Sequence, residues 1–161
     1  MGYLTRMLIE KKWRENGRKD ALRLARQPRP EGVAAEGGLA YLPDGDPMHT
    51  LNLYRPEGAQ GPLPTVVDIH GGGWMYGDRE LNRNYCMALA AQGYAVMGMS
   101  YRLLPQVDLR GQVQDVFASL RWLEEHGGEH GFDLSRILLT GDSAGGHLAG
   151  LTACIQKSPA L

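Results

Sequence analysis

The sequence predicts an α/β fold, and two observations lead to this expectation. After residue 60, short apolar runs typical of strands alternate with segments whose apolar residues recur at helical spacing. The first of these runs, residues 65–69, is apolar almost throughout, as expected for a strand that is covered on both faces. We therefore predict a mostly parallel sheet with flanking helices, in a chain whose 161 residues suffice for one domain.

The N-terminal part of the chain has a different pattern. Residues 1–30 place a narrow apolar stripe among many charges, which predicts two helices broken near Asn16 and Gly17. We therefore divide the chain into an N-terminal helical segment, residues 1–30, and an α/β part, residues 31–161. Strands are expected at residues 39–42, 48–54, 65–69, 94–101 and 137–140. Three further helices are expected to bury apolar faces that carry, in turn, Leu81, Tyr85, Ala88 and Leu89, then Val113, Val116, Phe117, Leu120 and Leu123, then Ala144, Leu148, Leu151 and Ile155.

Composition excludes several classes of protein. Seventeen Lys and Arg residues stand against eighteen Asp and Glu residues, so no excess of positive charge indicates a nucleic-acid partner. No apolar run approaches the roughly 18 residues of a membrane span. Both cysteines, Cys86 and Cys154, have apolar neighbours and are expected to be buried free thiols. Because the N-terminus also lacks the apolar core of a signal peptide, we expect a cytoplasmic protein.

Two glycine-rich motifs directly follow predicted strands, where ligands of open α/β sheets bind. The first glycine loop, residues 70–74, reads HGGGW, and the second, residues 141–146, reads GDSAGG. The second matches G-x-S-x-G between a strand and a helix, the context in which this motif presents a nucleophilic serine. Such a sharp turn leaves no room for side chains two residues before and two residues after Ser143, which accounts for Gly141 and Gly145.

The first glycine loop adds the second requirement of acyl transfer, which is a set of donors for a developing oxyanion. The backbone N–H groups of Gly72 and Gly73, together with that of Ala144, are candidates for these donors. Without side chains, the two glycines allow a substrate to approach the backbone closely. Taken alone, either motif is also compatible with a plain structural turn.

Three segments carry a resemblance to a known family. Residues 70–74, residues 101–105 (YRLLP) and residues 141–149 (GDSAGGHLA) resemble the α/β-hydrolases of the hormone-sensitive-lipase and carboxylesterase type. The resemblance extends over roughly residues 48–157. One departure is Ser100, where the lipase-like branch usually has Asp.

The resemblance implies an incomplete α/β-hydrolase fold and a serine carboxylic-ester hydrolase acting on a small-molecule ester. The resemblance implies that Ser143 is the nucleophile and that no metal or organic cofactor is needed. The N-terminal helical segment is then a candidate cap over the site. The resemblance implies an oxyanion hole of Gly72, Gly73 and Ala144, and supporting roles for His70, Gly71, Gly141, Asp142 and Gly145.

The family's triad runs in the order Ser, acid, His. Little sequence follows Ser143, so we expect the triad acid, the triad histidine and the C-terminal strands of the fold to lie outside this chain. The strand at residues 137–140 is then left with an unpaired apolar edge. The missing C-terminal half or another copy of the chain is the expected cover for this edge.

Several alternatives stay open at this stage. His70 lies near the site as an improvised base, whereas His147 is expected to point back along its helix. The motifs do not distinguish an esterase from a carbohydrate-ester deacylase or a serine peptidase on the same fold. A catalytically inactive fragment or pseudo-hydrolase that acts by binding is the alternative of another class. Near the end of a predicted helix, His126, Glu129, His130 and Asp133 have metal-like spacing but are more typical of a solvated loop.

Overall fold

The computed structural model describes residues 3–158, with side chains from residue 7 onward. The elements in chain order are α1 (Tyr3–Arg26), β1 (Val33–Ala40), β2 (Thr50–Pro56), β3 (Leu63–Ile69), α2 (Arg83–Ala91), β4 (Ala95–Met99), α3 (Leu109–His126), β5 (Phe132–Gly141) and α4 (Ala144–Lys157). No helix in these residues is long and apolar enough to cross a membrane.

The five strands form one sheet in the order β1-β2-β4-β3-β5. Strands β4, β3 and β5 pair in parallel, whereas β2 is antiparallel to both of its neighbours. The α/β class is confirmed, and the sheet is mixed, with its parallel part at the β5 side. Ile69 at the end of β3 pairs with Met99 on one side and Gly141 on the other. The carboxyl ends of the three parallel strands therefore lie side by side at the same end of the sheet, and both glycine loops begin there.

Helices cover both faces of the sheet. Val66 belongs to a small apolar cluster with α2, whereas the next residue, Val67, belongs to a larger cluster with α3 and α4. Side chains alternate between the two faces of a strand, so a strand covered on both sides needs apolar residues at successive positions. This explains the continuous apolar run of β3, as the sequence predicted.

Two helix predictions are wrong. Residues 3–26 form one continuous helix rather than two, because Asn16 and Gly17 are tolerated inside it. A methyl group at Gly17 would lie only 3.4 Å from the Tyr76 ring, so the glycine serves close packing rather than a break. In α2 two residues of the predicted apolar face, Tyr85 and Ala88, are exposed, whereas Leu89 packs against the small apolar cluster as predicted. The sheet is instead covered by Cys86, Met87 and Ala90.

The sequence also predicted an exposed apolar edge at β5 and the burial of both cysteines. Strand β5 lies at the edge of the sheet and exposes Leu134, Ile137 and Leu138, so the predicted apolar edge is confirmed. Cys86 is buried as predicted, but Cys154 is exposed because it lies on the outer face of α4.

Candidate active site

Ser143 occupies the turn between β5 and α4 in a strained backbone conformation. Its φ of 49° and ψ of −114° lie in a region that residues other than glycine rarely adopt. A side chain at Gly145 would overlap the carbonyl oxygen of Ile69, and one at Gly141 would lie 2.5 Å from the same oxygen. The turn therefore packs directly against the end of β3, and only glycine fits at the positions two residues before and two residues after Ser143.

The first glycine loop is also unusual in backbone conformation. Gly72, Gly73 and Trp74 all have positive φ, of 109°, 59° and 63°. The N–H groups of Met75 and Tyr76 donate to the carbonyl oxygen of Gly72 at 3.1 and 3.2 Å, which folds the loop back on itself. Within residues 3–158, the N–H groups of Gly72, Gly73 and Ala144 donate to no protein acceptor, so these three donors are free for a ligand.

His70 is fully buried and supports the first glycine loop. Its Nδ1 lies 2.7 Å from the carbonyl oxygen of Gly71, to which it donates, and its ring stacks on Tyr101 with centroids 4.4 Å apart. The Tyr101 hydroxyl in turn donates to the His70 carbonyl oxygen at 2.9 Å. Burial lowers the pKa of His70 to about 4, so its ring is neutral at physiological pH. These contacts match a supporting role and not that of a catalytic base.

Asp142 connects the two glycine loops. Its Oδ1 accepts a hydrogen bond from the backbone N–H of Gly71 at 2.8 Å and another from Nδ2 of Asn82 at 2.9 Å. A side chain at Gly71 would overlap the Asp142 carboxylate, so this position also requires a glycine. Asn82 was missed in the sequence because it belongs to no motif and is 60 residues away from Asp142 along the chain.

Beside Ser143 lies an open cleft of about 550 Å³. Its lining is largely apolar and consists of Trp74, Leu104, Leu109, Ser143, Ala144 and His147. The rings of Trp74 and His147 meet nearly at right angles, 5.6 Å apart. Trp74 therefore lines the cleft and also packs against the larger apolar cluster, whereas Leu109 was not singled out in the sequence.

The N-terminal helix contacts the first glycine loop from outside. Trp13 of α1 stacks on Tyr76 at 5.3 Å, and its ring occupies the place where a side chain at Gly73 would go. The Tyr76 hydroxyl donates to Asp20 of the same helix at 2.9 Å. Burial, together with the neighbouring Asp20 carboxylate, raises the pKa of Tyr76 to about 12. Helix α1 thus lies directly behind one of the candidate oxyanion donors.

Three remaining histidines lie in other contacts. His49 is buried between Asp44 and Asp115, at 2.7 and 3.3 Å. Asp115 is also buried and pairs with Arg102 at 2.6 Å, so its carboxylate is taken up by structural contacts. Among the residues that the structure describes, no group of three potential metal ligands occurs, and the rings of His126 and His130 pack against Trp122.

Comparison with known proteins identifies the family. The BD-FAE family model matches residues 51–161. Carboxylesterase NlhH of Mycobacterium tuberculosis is 38% identical over 128 residues, which are 79% of this chain and 38% of that protein. Esterase LipI of the same organism is 39% identical over 95 residues, which are 58% of this chain and 30% of that protein.

Solved structures agree with the sequence relatives. An inhibited Esterase B from Lactobacillus rhamnosis has a TM-score of 0.92 and 59% identity over 94% of this chain and 50% of its own. A bacterial heroin esterase has a TM-score of 0.75 and 34% identity over 88% of this chain and 44% of its own. The chain thus spans half or less of the length of these relatives. It belongs to the BD-FAE family, and its predicted likeness to α/β-hydrolases of the hormone-sensitive-lipase and carboxylesterase type is confirmed for the N-terminal part of that fold.

Proposed function

We propose that this chain carries the nucleophile and the oxyanion hole of a serine carboxylic-ester hydrolase. The observation that carries the proposal is the strained turn that holds Ser143 beside an apolar cleft, at the N-terminus of α4. Relatives named as carboxylesterases and esterases support the reaction class. The apolar lining of the cleft favours a small-molecule ester as substrate, with its acyl or alcohol group against Trp74 and Leu104.

The reaction follows from the position of these groups. Ser143 Oγ attacks the ester carbonyl carbon while its proton passes to a base, and the carbonyl oxygen becomes an oxyanion. The N–H groups of Gly72, Gly73 and Ala144 donate to this oxyanion, and the N-terminus of α4 adds a favourable dipole. Collapse of the tetrahedral intermediate expels the alcohol, which takes up the proton, and leaves an acyl group on Ser143. Water then attacks the acyl group and releases the acid.

We propose that the base and its acid partner come from outside this chain. The histidines that the structure describes have other contacts: His70 is buried under Tyr101, and His49 lies between two carboxylates. His147 lines the cleft, but its ring packs edge-on against Trp74. The matched regions make up only 38% of NlhH and 50% of Esterase B, so the rest of each relative has room for the remaining triad residues.

We also propose that the N-terminal segment, residues 1–30, acts as a cap element beside the α/β part, residues 31–161. The contact between Trp13 and Gly73 supports this role, because it places α1 against the loop that would bind the oxyanion. A cavity of about 340 Å³ lies between α1 and the chain that follows this loop, beside the contacts of Tyr76 with Trp13 and Asp20.

Hydrolysis of p-nitrophenyl acetate by the purified chain tests the proposal, with Ser143→Ala and the exposed Ser158→Ala prepared in parallel. We expect slow hydrolysis that Ser143→Ala lowers at least about tenfold and Ser158→Ala leaves unchanged, since an oxyanion hole retains some catalysis without its base. Equal rates for wild type and Ser143→Ala would contradict the role of Ser143. Rapid, sustained turnover would contradict an external base.

A further inference from the structure

The side-chain amide of Asn82 lies between two carboxylates, immediately before α2. Its Nδ2 is 2.9 Å from Oδ1 of Asp142 and 3.4 Å from Oδ1 of Asp68. An amide nitrogen has two hydrogens and can donate to both carboxylates at once. The three side chains, together with Tyr85, Thr140 and Gly141, line a small cavity of about 170 Å³.

Asp142 needs such a partner because packing does not fix its side chain. It is exposed, yet its Oδ1 accepts the hydrogen bond from the Gly71 N–H that joins the two glycine loops. An exposed carboxylate exchanges its hydrogen bonds readily with water. The bond from Asn82 to the same oxygen restricts the carboxylate to the orientation that also reaches Gly71.

Asp68 anchors the other side of the amide. It is 2% exposed, and the buried Cys86 thiol also donates to it, so its position is fixed by the core. Burial raises the pKa of Asp68 to about 6, and the hydrogen bonds from Asn82 and Cys86 oppose this shift. The amide of Asn82 is thereby held between a buried carboxylate in β3 and an exposed one in the turn before Ser143.

We infer that Asn82 is a positioning residue which, through Asp142, sets the place of Gly71 relative to the Ser143 turn. Gly71 directly precedes Gly72 and Gly73, so its position determines where their N–H groups point. The effect on hydrolysis rests on the proposed function, whereas the contact with Gly71 does not. The test therefore needs one readout without substrate and one with it.

The first readout is amide hydrogen exchange of Gly71, measured by NMR on the whole chain. Asn82→Asp keeps the shape but replaces the donor with a charge that repels Asp142, and Asn82→Ala removes the group altogether. We expect exchange at Gly71 to become at least tenfold faster in both variants and to recover toward the wild-type rate in Asn82→Gln. The buried Val67 amide of β3 should not change, which shows that the fold is intact.

The second readout is p-nitrophenyl acetate hydrolysis by the same variants. Asn84→Ala is the matched control, because the amide of Asn84 contacts Gln27 and Pro28 rather than either loop. We expect kcat to fall about tenfold in Asn82→Asp and Asn82→Ala with little change in KM, and Asn84→Ala to match wild type.

Unchanged exchange at Gly71 in both variants would overturn the inference, as would faster exchange with unchanged kcat. A failure of the proposed function is recognised separately, since Ser143→Ala would then hydrolyse the ester as fast as wild type while exchange at Gly71 still reported the Asn82 contact.

Discussion

The two glycine loops lie at the same edge of the sheet but are held in place by different kinds of contact. In the second loop, Gly145 packs backbone against backbone, on the carbonyl oxygens of Ile69 and His70. In the first loop, side chains provide most of the support. They are the ring of Tyr101 beneath His70, the Asp142 carboxylate at Gly71 and the ring of Trp13 at Gly73, whereas Gly72 packs on the backbone carbonyl of Tyr76.

This difference determines how each loop responds to change. Backbone atoms at the end of a central strand cannot move without disturbing the sheet, so the turn that holds Ser143 is fixed by steric exclusion. A side chain can rotate away, so the first loop is adjustable and depends on the groups around it. We therefore expect substitution of Gly145 in the second loop to damage the fold, and substitution of Gly73 in the first loop, where the obstacle is the Trp13 side chain, to be open to repair.

The largest expected effect is that of Gly145→Ala. Its methyl group would overlap the Ile69 carbonyl oxygen, and we expect the free energy of unfolding to fall by about 3 kcal/mol or more. Gly150→Ala is a matched control in the same helix, because no atom lies near the added methyl group. Its free energy of unfolding should rise by roughly 0.5–1 kcal/mol. Urea unfolding measures the stability of both variants. If Gly145→Ala lowered the free energy of unfolding by no more than about 1 kcal/mol, backbone contact would not be what fixes the second loop.

The next effect concerns pH and His70. Its pKa of about 4 in the folded chain lies below the ordinary value of 6.5, so above pH 6.5 the ring is neutral in both states. As the pH falls, the unfolded chain takes up a proton that the folded chain refuses, and the folded state loses about 3 kcal/mol by pH 4.

Unfolding of wild type and His70→Asn at pH 7.5 and pH 4 isolates this contribution. The variant has lost the titrating ring, so its stability should decrease less over the same interval. Parallel pH dependence of the two proteins would show that His70 takes up protons equally well in both states and is not held neutral by burial.

A smaller, repairable effect is expected for Gly73→Ala. The added methyl group meets the Trp13 ring, and the positive φ of 59° adds strain, for a combined loss of about 2 kcal/mol. In a Trp13→Ala background only the strain remains, so the loss should shrink to about 1 kcal/mol. A double-mutant cycle measures this difference. If Gly73→Ala lowered the stability equally with and without Trp13, the Trp13 ring would not contact the loop.

The smallest expected effect is at Ser143 itself. Glycine adopts a φ of 49° without strain, so Ser143→Gly should be about 1 kcal/mol more stable than Ser143→Ala. Thermal unfolding of the two variants makes the comparison. A more stable alanine variant would indicate a relaxed turn.

Sequence reasoning was most successful where a structural feature depends on residues that are neighbours in the chain. Each glycine motif follows directly from the steric demand of its turn, and the continuous apolar run of β3 reports its burial on both faces. Sequence reasoning failed in part for α2, where Cys86, Met87 and Ala90 face the sheet in place of Tyr85 and Ala88. Cys86 Sγ is 3.4 Å from where a side chain at Gly98 would begin, a proximity that no periodicity reveals.

Contacts between distant segments account for the remaining omissions. Strand β1 begins at Val33, earlier than predicted, because its Ala, Glu and Gly residues show no apolar alternation and are held by pairing with β2. The Asn82 amide and the Trp13 ring reach the candidate site only through the tertiary fold. The predicted roles of Ser143 and of the oxyanion donors stay predictions until they are measured.

The most direct test of Ser143 as nucleophile is to locate the acyl group. The chain is mixed briefly with p-nitrophenyl acetate, quenched in acid, and mapped by peptide mass spectrometry. We predict that the acetyl group is found on Ser143 and that Ser143→Ala carries none on the same peptide. An acetyl group on His147 instead, or p-nitrophenol release by Ser143→Ala at the wild-type rate with Ser143 unmodified, would contradict the account.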